Sequence, residues 1–552
     1  MKPIAISAYP FLAGVVPVMI YYNISASNEV GLDGLIMPLG VVLGLVAFFY
    51  LLPALCLPRF KASENAEPRL ALFVTLVWLI LYSPGFFILL AGFCASFALP
   101  FNPLGYAAQG LPLAWLVLLG VFMAGMDKRL VKPFAKFTGN AFGFLFLLEV
   151  LCMGYHEVLS QGAAMAAREA VIGQLPQPLV RHEQLKARLS NEPLPDVYYI
   201  ILDEMASTDV LKKYLAYDNT AVVNGYEKAG FYVARNSLSN YPLTRLSLSS
   251  SLNMNYLEAC AGKVGKRCED WRATEELIRN SAVAGAFQKG GYHYIHVDSR
   301  TTPSNHSYMA DENIDCGYVD PLFEKLLRST TIALLPGLEP FLAEREREHV
   351  LRQFAAVESM AGKQSAAQNR SKPVFIFAHV LCPHEPFIFA EDGGPAMEAG
   401  TRIDNQWDGA TRAAYVGQAK FVQNRALACV KAIIAAGEAS GRPSIIIVQG
   451  DHGTHCSDYV SREKPSAALL GERYGIFNAY FLPRSMTGKL TDNIEPVNTF
   501  RLVLSNLFEI DLPALPNRQY YATYAHPFNQ SIVTVPRPGA IESAQAPPCD
   551  PN

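Results

Sequence analysis

The chain has 552 residues, more than one hydrophobic core usually serves, so two or three domains are expected. Hydrophobic residues make up 51% of it and charged residues only 17%, a balance that argues against a wholly soluble enzyme. With a formal net charge of only -3, no strongly basic surface suggests nucleic acid as the partner, and none is expected.

The apolar excess lies ahead of about residue 160, in five stretches near the ~20 apolar residues that a bilayer crossing needs. They are Ile4 to Tyr22, Leu35 to Leu57, Leu70 to Cys94, Gln109 to Met126 and Asn140 to Tyr155, and they make residues 1–158 a transmembrane helical domain. Ser83-Pro84-Gly85 would kink the third span, a break that neighbouring helices can re-satisfy. Arg59, Lys61 and Arg69 fall in the second loop, and Lys128, Arg129, Lys132 and Lys136 in the fourth. The first loop, Asn23 to Gly34, and the third, Ala95 to Ala108, carry no Lys or Arg. The positive-inside rule makes the even loops cytoplasmic, so five spans starting inside leave everything after Tyr155 outside. Lys2, the apolar run and the small residues Ser25 to Ser27 also fit a cleaved signal peptide, which would not change that orientation. Glu149, within the fifth span, reads either as a functional carboxylate or as the partner of a polar group on a neighbouring helix.

Residues 159–195 read as an amphipathic connector, with Arg168, Arg181, Lys186 and Arg188 set among Ala and Leu; lipid-surface contact and a solvated helical face both fit. From 196 to 534 short runs rich in Val, Ile, Tyr and Phe alternate with helical stretches such as Ala414 to Ala436, the pattern of an α/β domain with a mostly parallel sheet. The predicted strands are Val197 to Leu202, Phe231 to Ala234, Tyr292 to Val297, Val374 to Ala378, Ser444 to Val448 and Phe477 to Leu482. Several are apolar throughout, as when helices cover both faces, and ligands of such sheets bind beyond the carboxyl ends of the strands. Polar residues gather there: Asp203 and Glu204 after the first strand, His384 after the fourth, Asp451 and His452 after the fifth. The Pro- and Ala-rich tail, 535–552, is expected to be disordered.

Cys56, Cys94 and Cys152 fall in spans, and Cys260, Cys268, Cys316, Cys382, Cys429, Cys456 and Cys549 outside them. An oxidising compartment permits disulfides, with the Cys260–Cys268 loop the easiest to close. Seven is odd, so one thiol at least stays unpaired within the monomer, and Cys549 is the choice.

A strand ending in Asp203, a Ser/Thr-rich turn YPLTRLSLSSSLNM and a strand followed by GDHG at Gly450 to Gly453 are each weak signals; together and in this order they resemble the sulfatase-like hydrolase and transferase branch of the alkaline-phosphatase superfamily. Lipoteichoic acid synthases and lipid A phosphoethanolamine transferases belong to that branch. The resemblance spans roughly Asp196 to Tyr521 and runs through FAHVLCPHEPFIF, RYGIFNAYFLP and PVNTFR. It implies a bacterial inner-membrane protein with an alkaline-phosphatase-like, mostly parallel sheet sandwiched by helices outside the cytoplasm, behind a bundle of about five spans.

Carried across by position, the resemblance makes Asp203 a metal ligand with Glu204 in reserve, Thr244 nucleophile and ligand, and Asp451 and His452 the remaining ligands. It implies one tight divalent ion, Mn, Zn or Mg, and the mixed carboxylate–imidazole set suits Zn or Mn. An isolated threonine hydroxyl is a poor nucleophile, and coordination would activate it. Thr244 also reads as a helix N-cap, a role compatible with the first. The resemblance gives His384 the phosphoryl oxygens or the leaving group, against a turn-capping role. His379, behind an apolar run, reads as a core or supporting histidine, and His455 as an extra ligand, a supporting donor or a loop residue. A second metal would draw on Asp298, His306 and His455, whose spacing does not fit. Arg473 and Asn478 read equally as substrate contacts or ordinary structure.

Sulfatases need a Cys or Ser convertible to formylglycine, usually in a C/S-x-P-x-R context, whereas Thr244 is followed by Arg245, Leu246, Ser247 and Leu248. The expectation is therefore a head-group transferase working through a covalent threonine intermediate, with a phospholipid donor and an envelope glycan or lipid acceptor. The alternatives are a phosphodiesterase or phosphatase, a sulfuric ester hydrolase of the same fold, or a non-catalytic envelope-assembly protein.

Overall fold

The computed structural model describes residues 6–25, 30–56, 66–82, 127–176, 179–180, 194–366, 372–396, 407–458, 460 and 462–536. They form two compact units: Met1–Ser160 with Val319–Phe341, and Gln161–Tyr318 with Leu342–Asn552.

In the first unit, apolar runs without a turn signal become helices. Tyr9–Ser25 is one; Ile36–Val46 continues through Ala47–Leu51 into Leu52–Cys56; Ala66–Leu81 and the long Lys128–Ile172 follow. Among the described residues two helices, Leu32–Cys56 and Arg129–Ile172, are long and apolar enough to cross a membrane, and Tyr9–Ile24 is a shorter apolar helix. The third expected span is described only to residue 82, and the fourth, Gln109 to Met126, lies outside the described residues. The fifth is the middle of a 45-residue helix that runs unbroken past residue 158 to Ile172. Glu149 on that helix accepts a hydrogen bond from the Asn23 side-chain amide, so it has the polar partner that one of its two readings expects. The short helix Pro321–Arg328 buries Leu322 and Leu326 in one cluster with Val30 and Leu35.

The second unit is built on a seven-stranded sheet. Its strands are β1 Asp196–Leu202, β2 Tyr232–Val233, β3 His293–Val297, β4 Glu312–Ile314, β5 Val374–Val380, β6 Ser444–Gly450 and β7 Asn478–Phe481, in the order β2-β7-β6-β1-β5-β3-β4. β6, β1, β5, β3 and β4 are mutually parallel, and β7 runs antiparallel to both its neighbours. All six predicted strands are present. The addition is the edge strand β4, three residues long and mostly exposed, which gives no apolar signal. Alternation sorts the side chains into two cores. Ile200, Leu202, Ile376, Ala378, Ile446 and Val448 pack with Phe354 and Val422 on one face. Tyr199, Ile201, Phe377 and Ile447 pack with Leu248, Leu252 and Phe500 on the other. Helices therefore cover both faces, which is why β1, β5 and β6 are buried along their whole length.

Expected features in other places differ. Cys260 and Cys268 form no disulfide: the Cys260 thiol is buried toward the Ala167 carbonyl, 3.8 Å away, and Cys268 is half-buried. Arg181, Lys186 and Arg188 of the connector, Cys94, Cys549 and the tail from residue 537 lie outside the described residues.

β6 ends at Gly450, where a Cβ would sit 2.2 Å from the Met205 carbonyl oxygen. That oxygen already accepts the Phe477 N–H at 3.0 Å, so it cannot withdraw without losing the bond. Gly450→Ala is expected to cost about 1–3 kcal/mol of overpacking, read as a melting temperature several degrees lower for the purified chain.

Candidate functional site

β5, β1 and β6 lie side by side, and their register sets Ile201 against His379 and Leu202 against Gly450. The next residues of β1 and β6, Asp203 and Asp451, therefore lie side by side at the carboxyl edge of the sheet, two positions beyond the level of His379. Alternation puts all three on the face that carries Tyr199, Phe377 and Ile447, the face covered by the Thr244–Asn253 helix. Asp203, His379 and Asp451 each present one donor atom within 4.8 Å of the others. His379 Nε2 is 3.2 Å from Asp203 Oδ2. All three side chains are buried.

Thr244 begins the helix above them. Leu243, in extended conformation, occupies the N-cap, and no side-chain cap bond is made. The N-cap reading of Thr244 is thus corrected: its hydroxyl is turned instead toward His452 Nε2, 2.9 Å away. His452 Nδ1 donates to the Gly453 carbonyl at 3.1 Å, which leaves Nε2 as the lone-pair end of a neutral ring. Arg473 Nη2 donates to that nitrogen at 3.0 Å, Asp451 Oδ2 lies 3.1 Å from it and Asp203 Oδ1 3.7 Å. Burial, then the Arg473 charge, holds His452 far below the usual histidine range.

The two aspartates are driven apart. Burial alone would raise Asp203, but the His384 charge and the His379 hydrogen bond outweigh it and keep that carboxyl ionised. Burial and the adjacent Asp203 charge push Asp451 up. Two of their oxygens, Asp203 Oδ1 and Asp451 Oδ2, are buried without a hydrogen-bond partner. Buried charge in that condition is costly unless a cation or donor meets it. A carboxylate–imidazole donor set with orphaned oxygens facing one point fits a divalent transition-type ion.

Glu204 takes a different course. Its φ of 64° is the left-handed region, so the chain turns sharply after Asp203. Oε1 accepts from Arg473 Nη1 at 2.8 Å and pairs with His455 Nδ1 at 2.7 Å, while Oε2 is buried without a partner. Burial would raise this carboxyl, yet His455 and Arg473 bring it down to about 2. His455 is therefore a partner of Glu204. With Glu204 and Glu385, His384 makes a second group whose donor atoms lie within 4.8 Å of one another. Partial burial of His384 is outweighed by Glu385, Asp203 and Glu204, which raise it to about 10. Asp298 and His306 do not join either group: Asp298 pairs with His349 at 3.1 Å and His306 bonds Asn305. Asn478 bonds Ser237, Tyr480 and Gln449 within the sheet and is a structural residue.

Two contributors read ambiguously in the sequence, His379 as a core or supporting histidine and Arg473 as a substrate contact or ordinary structure, and Glu472 and Ser239 carry no signal there. His379 looked like core because it ends an apolar strand; its parity with Phe375 and Phe377 was the available signal. Arg473 looked like the basic start of a strand, and instead ties Glu204, His452, the Gly453 carbonyl and the Pro242 carbonyl together. Glu472 beside it accepts from Thr454 Oγ1 and from the Cys456 and Ser457 amides, fixing the loop after Asp451. Ser247, from the Ser/Thr-rich turn, and Ser239, just ahead of it, both donate to the Asp451 carbonyl.

Because Glu204 titrates lower in the folded protein than its ordinary 4.5, its contribution is fully present above about pH 4.5 and is lost as pH falls toward 2. Wild type and Glu204→Gln, both stripped of metal, are expected to differ most in stability near pH 7 and to converge in acid. The pH-dependent part is on the order of 3 kcal/mol, read from melting temperatures across pH 7 to 2.

No family model and no curated protein matches the chain. Among solved structures it is similar to the C-terminal periplasmic domain of EcEptC from Escherichia coli, at 12% identity over 61% of this chain and 91% of that one, TM-score 0.38. It is also similar to the C-terminal periplasmic domain of the phosphoethanolamine transferase EptC from Campylobacter jejuni (13%, 61% and 94%, TM-score 0.34) and to a putative sulfatase from Bacteroides thetaiotaomicron (13%, 58% and 72%, TM-score 0.36). At such identities and scores no role passes from those proteins to residues of this chain.

Proposed function

We propose that the chain is a membrane-anchored, metal-dependent phospho-head-group transferase in which Thr244 is the nucleophile. One observation carries the reading: the Thr244 hydroxyl, the lone-pair nitrogen of His452 and two orphaned buried carboxylate oxygens converge at the carboxyl edge of the sheet. Asp203, Thr244, Asp451 and His452 would hold a divalent cation, whose chemistry when bound is to lower the hydroxyl pKa and neutralise phosphoryl charge. The chain's own groups supply the rest. Thr244 Oγ1 forms the bond to phosphorus as the bond from phosphorus to the donor's diacylglycerol oxygen breaks, giving a phosphodiester on Thr244. His384, raised to about 10 and so protonated at neutral pH, is suited to give the departing oxygen its proton. An acceptor hydroxyl of an envelope glycan or lipid then takes the head group and restores threonine; water in its place would make the enzyme a phosphodiesterase. Threonine lacks the primary alcohol or thiol that formylglycine formation needs, which disfavours the sulfuric ester hydrolase alternative.

The bilayer reading draws support from Phe48, Phe49, Phe137, Phe144, Leu147 and Leu151, large apolar side chains exposed on the two long helices. The side of the membrane draws support from Leu322 and Leu326. Both belong to the chain after Tyr155, and both fall in one buried cluster with Val30 at the end of the first loop, the one without Lys or Arg. Loop and catalytic chain then share the extracytoplasmic side.

Incubation of the purified chain with labelled phosphatidylethanolamine or phosphatidylglycerol is expected to leave the head-group phosphate on Thr244, seen as a mass shift of its peptide. Thr244→Ala is expected to abolish the adduct and lower turnover by ~1000-fold or more. Retention of the modification activity by Thr244→Ala refutes the covalent reading, and release of label to water alone selects the hydrolase. A reporter that is active only outside the cytoplasm, fused after residue 176, is expected to be active, and one placed between the second and third spans silent.

A further inference from the structure

The histidine least expected at the site has the most elaborate support. His379 Nδ1 lies 2.7 Å from Ser304 Oγ, and Ser304 Oγ lies 2.7 Å from Ser299 Oγ, whose hydroxyl reaches the Thr301 carbonyl at 3.2 Å. The Ser304 backbone is fixed in turn: its carbonyl accepts from the Ser299 amide at 3.2 Å and from His296 Nε2 at 2.8 Å, and His296 Nδ1 meets the Tyr294 hydroxyl at 3.0 Å. Gln353 Nε2 bridges the Asp298 and His379 carbonyls at 2.6 and 2.9 Å. His379, Ser304, Ser299, His296 and Gln353 are all essentially inaccessible to solvent. The opposite ring nitrogen, Nε2, faces the orphaned carboxylates of Asp203 and Asp451.

This chain of hydroxyls can run in either direction. In one, Ser299 donates to Ser304, Ser304 donates to Nδ1, and Nε2–H donates to Asp203 Oδ2. In the other, Nδ1–H donates to Ser304, Ser304 donates to Ser299, and Ser299 donates to the Thr301 carbonyl, which has a spare lone pair to receive it. The second leaves Nε2 with a bare lone pair beside a carboxylate, an arrangement favourable only with a cation between them. No group changes charge in passing from one to the other; only the imidazole tautomer and two hydroxyl rotors turn over.

We propose that His379 is an additional ligand of the cation held at Asp203 and Asp451, and that Ser304 is its positioning residue, accepting the hydrogen bond from Nδ1–H so that Nε2 presents its lone pair. The inference rests on the metal-dependent reading above and extends its donor set from strand β1 and the loop after β6 to strand β5. Ligating histidines are commonly oriented by such a partner on the far nitrogen, and losing it costs about 10–100-fold in affinity.

The test is titration of Zn and, separately, Mn into the chelator-stripped full chain, by competition with a chromophoric chelator. In Ser304→Ala the zinc affinity falls ~10–100-fold and manganese affinity falls less, because an imidazole contributes more to zinc. His379→Ala shows the same asymmetry, and Ser304→Thr, which keeps the hydroxyl, recovers most of the zinc affinity. Should Ser304→Ala not fold, Ser299→Ala cuts the relay one hydroxyl further out and is read the same way. Wild-type zinc affinity in the Ser304 and Ser299 variants, or equal losses for the two metals, overturns the assignment while leaving the metal-dependent reading intact. A wild-type chain that binds neither ion overturns both.

Discussion

Three carboxylates buried within one small volume are the constraint around which the second unit is arranged. Asp203, Glu204 and Asp451 are all nearly inaccessible, and each keeps one oxygen without a hydrogen-bond partner. An orphaned buried acceptor costs about 1–3 kcal/mol, and more when it is charged. Glu204 is in a direct ion pair with Arg473. The other two repel each other, so that one ionises at the expense of the other. A fold that retains this much unsatisfied charge in its interior is suited to receive a cation, and the local structure follows from holding the donors apart until one arrives.

The holding is done by neutral donors and by a single salt bridge. Ser239 and Ser247 fasten the Asp451 backbone from the helix side, and the Glu204 amide donates to Asp451 Oδ1 at 2.9 Å from the strand side. Glu472 binds the loop beyond, and the close seat of Gly453 on the Glu472 carbonyl leaves no room for a side chain. The two glycines of GDHG therefore answer to two different neighbours, Gly450 to the turn after β1 and Gly453 to the Ala467–Tyr474 helix. Their motif is a packing requirement on either side of the aspartate and histidine it brackets.

Much of this was legible in the residues. Apolar strands flanked by helices gave the layered α/β architecture, and polar residues at strand ends marked the edge of the sheet where they meet. What stayed hidden has physical reasons. β4 has no apolar face to reveal it. The antiparallel direction of β7 depends on how the chain returns to the sheet, which no local pattern records. Pro321–Arg328 carries an ordinary amphipathic pattern, and its grouping with the N-terminal helices is a tertiary choice. His379 was concealed by its apolar neighbours although its parity with Phe375 and Phe377 was visible. Arg473 was concealed because a buried guanidinium has the same sequence context as a solvated one.

The adjacent pair Asp203 and Glu204 shows how little separation in sequence is needed to divide two roles. Strand alternation alone would send consecutive side chains to opposite faces, and the left-handed turn at Glu204 departs from the strand altogether. Asp203 stays on the face of Tyr199 and Ile201, under the Thr244 helix and beside His379 and His452. Glu204 is carried to Arg473 and His455, where its charge is largely met. Arg473 touches both sides of this division, bonding Glu204 with one nitrogen and His452 with another. Through it the met carboxylate orients the imidazole that faces the unmet ones. Glu204 is thus held away from the Thr244 cluster by its own partners, and Asp203 is the strand-end carboxylate left on that face.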